Sequence, residues 1–265
     1  MKDQESNANY FFVRGQKDFQ EGDFQNCIKD LIYAQEIFSS IGNKEQSAET
    51  LLLLGTAYNN INQFSQARQF YSLAISRFQE LNQSQKIGEC ALLLGEIYRE
   101  EGEFKKSKQY LAKATDIFTN LSNLEKLGDS WKELALTYQT DLVEYSAYPA
   151  RAVNAYKKAI EIYKKIKALD KKAEVENDLG HLLVSQTKYE ESLKVFQNAL
   201  NHFKKQKDKD QIIALSILIG RVFFELDKKS KAKDYMFKAI DEMKNFQYST
   251  EKINQLKQTI LAMFN

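Results

Sequence analysis

Few side chains in this chain are of types that do chemistry, and their spacing argues against it. Two histidines, His181 and His202, stand 21 positions apart among 265 residues. No cysteine or paired carboxylate lies at ligand spacing from either, so a zinc site has no support. Glu100-Glu101 and Glu190-Glu191 are adjacent pairs. Neighbours along a helix point to different sides and do not converge on one atom. No glycine-rich phosphate loop is present, and no nucleophile–histidine–acid set stands in a recognisable context. Cys27 and Cys90 are too few and too far apart for a disulfide framework. Cys27 falls at a small-residue position shared with Ala67 and Ala232, which predicts a buried thiol. The expectation is a protein without catalysis, cofactor or metal.

What positions these residues is a repeat. Ala34, Ala74, Ala114, Ala159, Ala199 and Ala239 are spaced by 40, 40, 45, 40 and 40 residues. Other columns keep the register. Gly15, Gly55, Gly95, Ala135, Gly180 and Gly220 precede the alanines. Leu31, Tyr71, Leu111, Tyr156, Phe196 and Met236 lie three before them; Phe38, Phe78, Phe118, Tyr163, Phe203 and Met243 lie four after. Small residues let two helices approach closely, and large ones fill the wedge to the next pair. Apolar residues three and four apart predict two amphipathic helices per unit. Turns are expected at Glu21-Gly22-Asp23, Ile61-Asn62-Gln63, Glu101-Gly102-Glu103, Gln186-Thr187-Lys188 and Leu226-Asp227-Lys228, with Phe24, Phe64, Phe104 and Tyr189 anchoring the helices that follow. A fixed period in this range marks a solenoid.

This frame resembles the tetratricopeptide repeat, with Trp131 at that family's tryptophan position and Leu134 and Ala135 following in pattern. The period here is 40 rather than about 34 residues. The longer period implies helices of roughly 17 residues, about 26 Å each. The resemblance implies one all-α domain over 1–265, a right-handed superhelical solenoid of six helix-turn-helix repeats. Their expected spans are 8–43, 44–83, 84–123, 124–168, 169–208 and 209–245, with a terminal helix over 249–264. Pro149 alone represents its residue type, as a helical chain requires, and is placed in the first turn of the second helix of repeat four.

Charge divides the chain. Residues 1–150 carry 15 Lys+Arg and 21 Asp+Glu, a net −6, and residues 151–265 carry 23 and 15, a net +8. The basic half reads either as solvated outer faces, with Lys157, Lys158, Lys164, Lys165, Lys204 and Lys205 facing water, or as a surface that steers an acidic partner. The polar start and the longest apolar run, 212–220, predict neither a secretory signal nor a membrane span. The expectation is a cytoplasmic protein that binds protein or peptide, not nucleic acid; its oligomeric state is left open.

In the repeat family the first helix of each pair lines the concave surface. By register, Phe12, Leu52, Leu92, Leu136, Val184 and Phe224 would form an apolar floor. Asn59, Asn60, Arg99, Lys132, Gln139, Asn177, His181 and Arg221 would form hydrogen-bonding rims. Such a groove suits an amphipathic helix or an extended segment. The lysine/asparagine clamp of chaperone-tail binders is absent, because the equivalent positions hold Phe12, Gln16, Leu52 and Thr56. The apolar stripe Ile253, Leu256, Ile260, Leu261 and Phe264 either caps the last repeat or folds into the groove.

A narrower resemblance covers 138–163. Tyr138-Gln139-Thr140-Asp141-Leu142-Val143-Glu144, Ala152-Val153, Tyr156, Ala159 and Tyr163 are similar to a stretch of soluble NSF attachment proteins. That family implies an adaptor for an ATPase that dismantles membrane-fusion helical bundles, with a basic face gripping an acidic bundle. It also implies peripheral membrane contact through an N-terminal apolar segment. Tyr10-Phe11-Phe12-Val13 is the candidate, although register puts it inside the first helix. A third reading is a regulator that binds a short signalling peptide, which would normally carry an effector module.

Overall fold

The computed structural model describes residues 2–141 and 148–264. The stretches Leu142-Val143-Glu144 and Tyr145-Ser146-Ala147, used above for the narrower resemblance and the insertion, lie outside the described residues. Among the described residues there are thirteen helices and no strand. They fall into two compact units, Met1–Asp141 and Leu142–Asn265.

The first unit contains α1 (Lys2–Glu21), α2 (Phe24–Ser40), α3 (Lys44–Asn60), α4 (Phe64–Glu80), α5 (Ser84–Glu100), α6 (Phe104–Asn120) and α7 (Leu124–Thr140). The second contains α8 (Tyr148–Lys165), α9 (Leu169–Ser185), α10 (Tyr189–Gln206), α11 (Lys209–Glu225), α12 (Lys229–Asn245) and α13 (Thr250–Phe264). Within each unit a helix packs chiefly on its neighbours in sequence, and first helices also meet next-but-one across α1/α3 and α5/α7. The all-α repeat architecture, the helix length of 17 residues in α3 and α4 and the place of Pro149 in the first turn of α8 agree with the sequence reading. The first repeat, expected from residue 8, instead begins with α1 at Lys2. The added turn is held by Ala8, which is fully buried against Ala34 and Phe38, and by Glu5, which accepts from Asn43 Nδ2 at 3.3 Å.

Packing explains the periodic columns. The six ladder alanines are fully buried. A second small column, not singled out above, faces them from the first helices: Ala8, Ala48, Gly88, Gly128 and Ala173 are also buried. Tyr71, Tyr156, Phe196, Leu31 and Leu111 are fully enclosed. Each such side chain contributes roughly 1.5–3 kcal/mol relative to exposure. The glycine column exists because there is no room for a side chain. A Cβ on Gly55 would stand 2.6 Å from Tyr71 Cδ1. Cys27 and Cys90 are buried free thiols, and burial pushes both pKa values up to about 12.

Every described turn between successive helices uses one device. A left-handed residue ends the helix: Gly22, Gly42, Asn62, Asn82, Gly102, Ser122, Lys167, Thr187, Lys207, Asp227 or Gln247. After α3, Gln63 N donates to Tyr58 O and Asn62 N to Asn59 O, both at 2.9 Å. This is the Schellman arrangement, which satisfies carbonyls that the helix end leaves open. Asp23, Asn43, Asn123 and Asp208 then cap the next helix, each accepting from a backbone N–H three residues on.

The terminal helix α13 lies on α12. Ile260 is buried with Met236 and Ile240, and Ile253 and Leu256 join the cluster. The expected alternatives of cap and groove-filler resolve here toward a cap, which shields the last hairpin.

Candidate partner-binding face

Phe12, Leu52, Leu92 and Lys132 project from α1, α3, α5 and α7 into one groove of about 540 Å³ within the first unit. Leu53, Leu93, Gln16 and Thr56 complete its floor. Forty residues separate successive floor positions, so helical register and stacking bring them into line. Leu92 is 6 % exposed, and Phe12 and Leu52 are half-buried.

The walls differ from expectation. Of the expected rim residues only Lys132 is present, and the walls carry Glu49, Glu89, Glu96, Asp129 and Glu133 against it and Lys126. Most of these acids have a cation nearby. Lys86 Nζ lies 3.2 Å from Glu49 and 3.7 Å from Glu89, Lys126 lies 3.8 Å from Asp129, and Arg99 lies 3.3 Å from Glu133. Glu49, Glu89 and Asp129 recur every forty residues, so the sequence itself carries the signal of an acidic wall.

Glu96 is the exception. It has no hydrogen bond or salt bridge within the described residues. Burial, reinforced by Glu133, raises its pKa to about 7, with Arg99 and Lys126 opposing the shift. Burial also raises Glu133, which Arg99 opposes.

The remaining rim residues divide. Arg99 is turned inward, 19 % exposed, held by Glu133 and by Glu100 at 2.8 Å, with its Nε buried and unbonded. Asn60 is exposed but folds back, its Nδ2 donating to Thr56 O at 2.8 Å, and Asn59 and Gln139 are half-buried in the last turns of α3 and α7. These four do not line the groove.

In the second unit α9 carries Asn177 and His181, and α11 carries Arg221 and Phe224. His181 and Arg221 are exposed and share one register, forty residues apart. The His181 ring stands edge-on to Phe196 at 5.4 Å. Asn177 is half-buried with Oδ1 unbonded. Phe224 is met edge-on by Phe264 at 5.3 Å, so the cap covers the end of the apolar row. Lys157, Lys158, Lys164, Lys165, Lys204 and Lys205 are exposed.

The N-terminal apolar run is split by its helix. Tyr10 and Val13 are 59 % and 61 % exposed, while Phe11 packs on Tyr33 and Phe12 turns to the groove. Among the described residues no helix is long and apolar enough to cross a membrane. Among them, too, no three His, Cys, Asp or Glu side chains form a metal-holding group.

Comparison with solved structures identifies the same architecture. BtubC from P. vanneervenii is 18 % identical over 94 % of this chain and 92 % of its own, with a TM-score of 0.66. PilF from Pseudomonas aeruginosa is 15 % identical over 92 % and 98 %, with a TM-score of 0.61. A Rap protein complexed with competence and sporulation factor is 13 % identical over 97 % and 76 %, with a TM-score of 0.62. At these identities the likeness is one of fold. A search of curated proteins finds no match. A family model described as an uncharacterized protein conserved in bacteria matches residues 19–147. The model of the soluble NSF attachment protein matches residues 95–254, three-fifths of the sequence, including the repeat whose residues first suggested it. On that match the chain belongs to the soluble NSF attachment protein family.

Proposed function

We propose that the protein is a non-catalytic adaptor that holds a helical or extended protein segment against its first helices. The observation that carries this reading is the row Phe12, Leu52 and Leu92. These side chains come from three successive first helices and line an open groove, Leu92 almost covered and Phe12 and Leu52 half-buried against the hairpin cores. An apolar row with polar walls is the arrangement that receives an amphipathic segment. Family membership adds a direction: an attachment protein would couple a helical bundle to an ATPase. The excess of Lys and Arg over residues 151–265, with Arg221 and His181 exposed on first helices, favours an acidic bundle for that half. A cytoplasmic location accords with this reading.

The test is co-precipitation of the purified chain with a hexameric ATPase of the attachment-protein system and a membrane-fusion helical bundle. Capture of both, weakened by Arg221→Glu and by Asn177→Asp, supports the reading. Capture of neither removes the attachment role. A second reading, a receptor for a short signalling peptide, is favoured by the groove volume and by likeness in fold to a Rap protein solved with competence and sporulation factor. Saturable binding of short peptides without any bundle would select it.

A further inference from the structure

The acidic walls of the first unit and the isolated carboxylate in them ask for a partner of the opposite kind from the one the basic half suggests. Five carboxylates line the groove against two lysines. Four of the five already face a cation of this chain, at 3.2 to 3.8 Å. The fifth, Glu96, shares the groove lining with Leu92, Leu93 and Thr56 and has no such cation among the described residues. Lys126 and Arg99 act on it only at longer range, because each is engaged by Asp129 or Glu133. A half-buried carboxylate without a partner is unfavourable in the empty groove, and a cation brought alongside recovers that cost. The apolar floor on one side of Glu96 fixes the rest of the ligand.

We propose that the groove of the first unit receives an amphipathic segment whose apolar side lies on Phe12, Leu52 and Leu92 and which delivers one lysine or arginine to Glu96. The inference rests on the adaptor reading and specifies the ligand chemistry of this face. This ligand chemistry concerns the first unit alone, and the acidic-bundle reading the second.

A random peptide display library panned on the intact chain tests it. Selected peptides are expected to carry Lys or Arg flanked by apolar residues. Their affinity is expected to fall about tenfold or more on Glu96→Gln, as for loss of one charge-assisted contact. It is expected to fall likewise on Leu52→Asp, while Lys238→Glu on α12 leaves it unchanged. Helical dichroism verifies folding, and Glu96→Gln removes an unfavourable charge, so that variant will fold. Peptides without cations, or binders indifferent to Glu96→Gln, overturn the proposal. Binders indifferent to Leu52→Asp as well overturn it while leaving the adaptor reading intact, with its site elsewhere. No binder at all overturns both.

Discussion

Gly180 and Phe196 are in contact to the limit of what backbone allows: a Cβ on Gly180 would lie 2.4 Å from Cε1 of the ring. Phe196 is fully enclosed and has nowhere to turn. Gly180→Ala gains up to about 1 kcal/mol of helix propensity and loses more through overpacking, typically 1–3 kcal/mol. The expected result is a net loss of about 1–2 kcal/mol, read as a lower urea midpoint. Gly88→Ala, where the nearest atom is Phe118 Cζ at 2.9 Å, will cost less. Equal effects at both positions would mean that the ring repacks freely.

Thr187 ends α9 with φ of 57°, a conformation that a β-branched residue adopts only at a cost. Thr187→Gly is expected to raise stability by about 0.5–1 kcal/mol without altering helix content. A decrease in the thermal midpoint would show that other contacts of Thr187 outweigh the backbone strain.

Glu96 gives the first unit a pH signature. Its pKa is about 7 folded against 4.5 for the free side chain. The folded chain therefore binds the proton more tightly, and protonation favours folding. That contribution is complete below about 4.5 and is lost as pH rises through 7. Glu133, Asp129 and Lys126 from α7 and Arg99 on its own helix act on it and shape the slope. Glu96→Gln will be more stable than the native chain above pH 7, by on the order of 1–2 kcal/mol, with the advantage shrinking toward pH 5. A pH-independent difference in chemical denaturation would contradict this.

Phe264 closes the second unit against Phe224, with Lys233 Nζ 5.1 Å from the centre of its ring. Phe264→Ala is expected to cost about 1–2 kcal/mol, below the range for a fully buried phenylalanine because the ring is only partly covered. Deletion of 250–264 uncovers Met236 and Ile240 and will promote self-association, visible by light scattering. A truncated chain that stays monodisperse with an unchanged midpoint would deny the cap its role.

Much of the fold was legible because one hairpin is written repeatedly. The ladder alanines, the glycine column and Phe38, Phe78 and Phe118 recur at a period that only stacked helices explain, and all are buried. The first turns of α1 lie outside the expected first repeat because Lys2 to Asn7 are polar and are held from outside the helix, by Asn43 on Glu5 and by Ala34 and Phe38 on Ala8. The groove was half legible. Register places Phe12, Leu52, Leu92 and Lys132, and the acidic wall is written in the same way, by Glu49, Glu89 and Asp129 at the same forty-residue interval. The isolation of Glu96 could not be read in sequence, because it depends on Arg99 being taken by Glu133, a choice of side-chain conformation.

Neighbours in space within each unit are neighbours in sequence, and this sets how the molecule answers a pull. Hairpins joined end to end bear load as links in series, each holding chiefly to the next. Stretched from its ends, either unit will pay out one link after another at low tension and wind back when released, in the manner of a spring rather than a clamp.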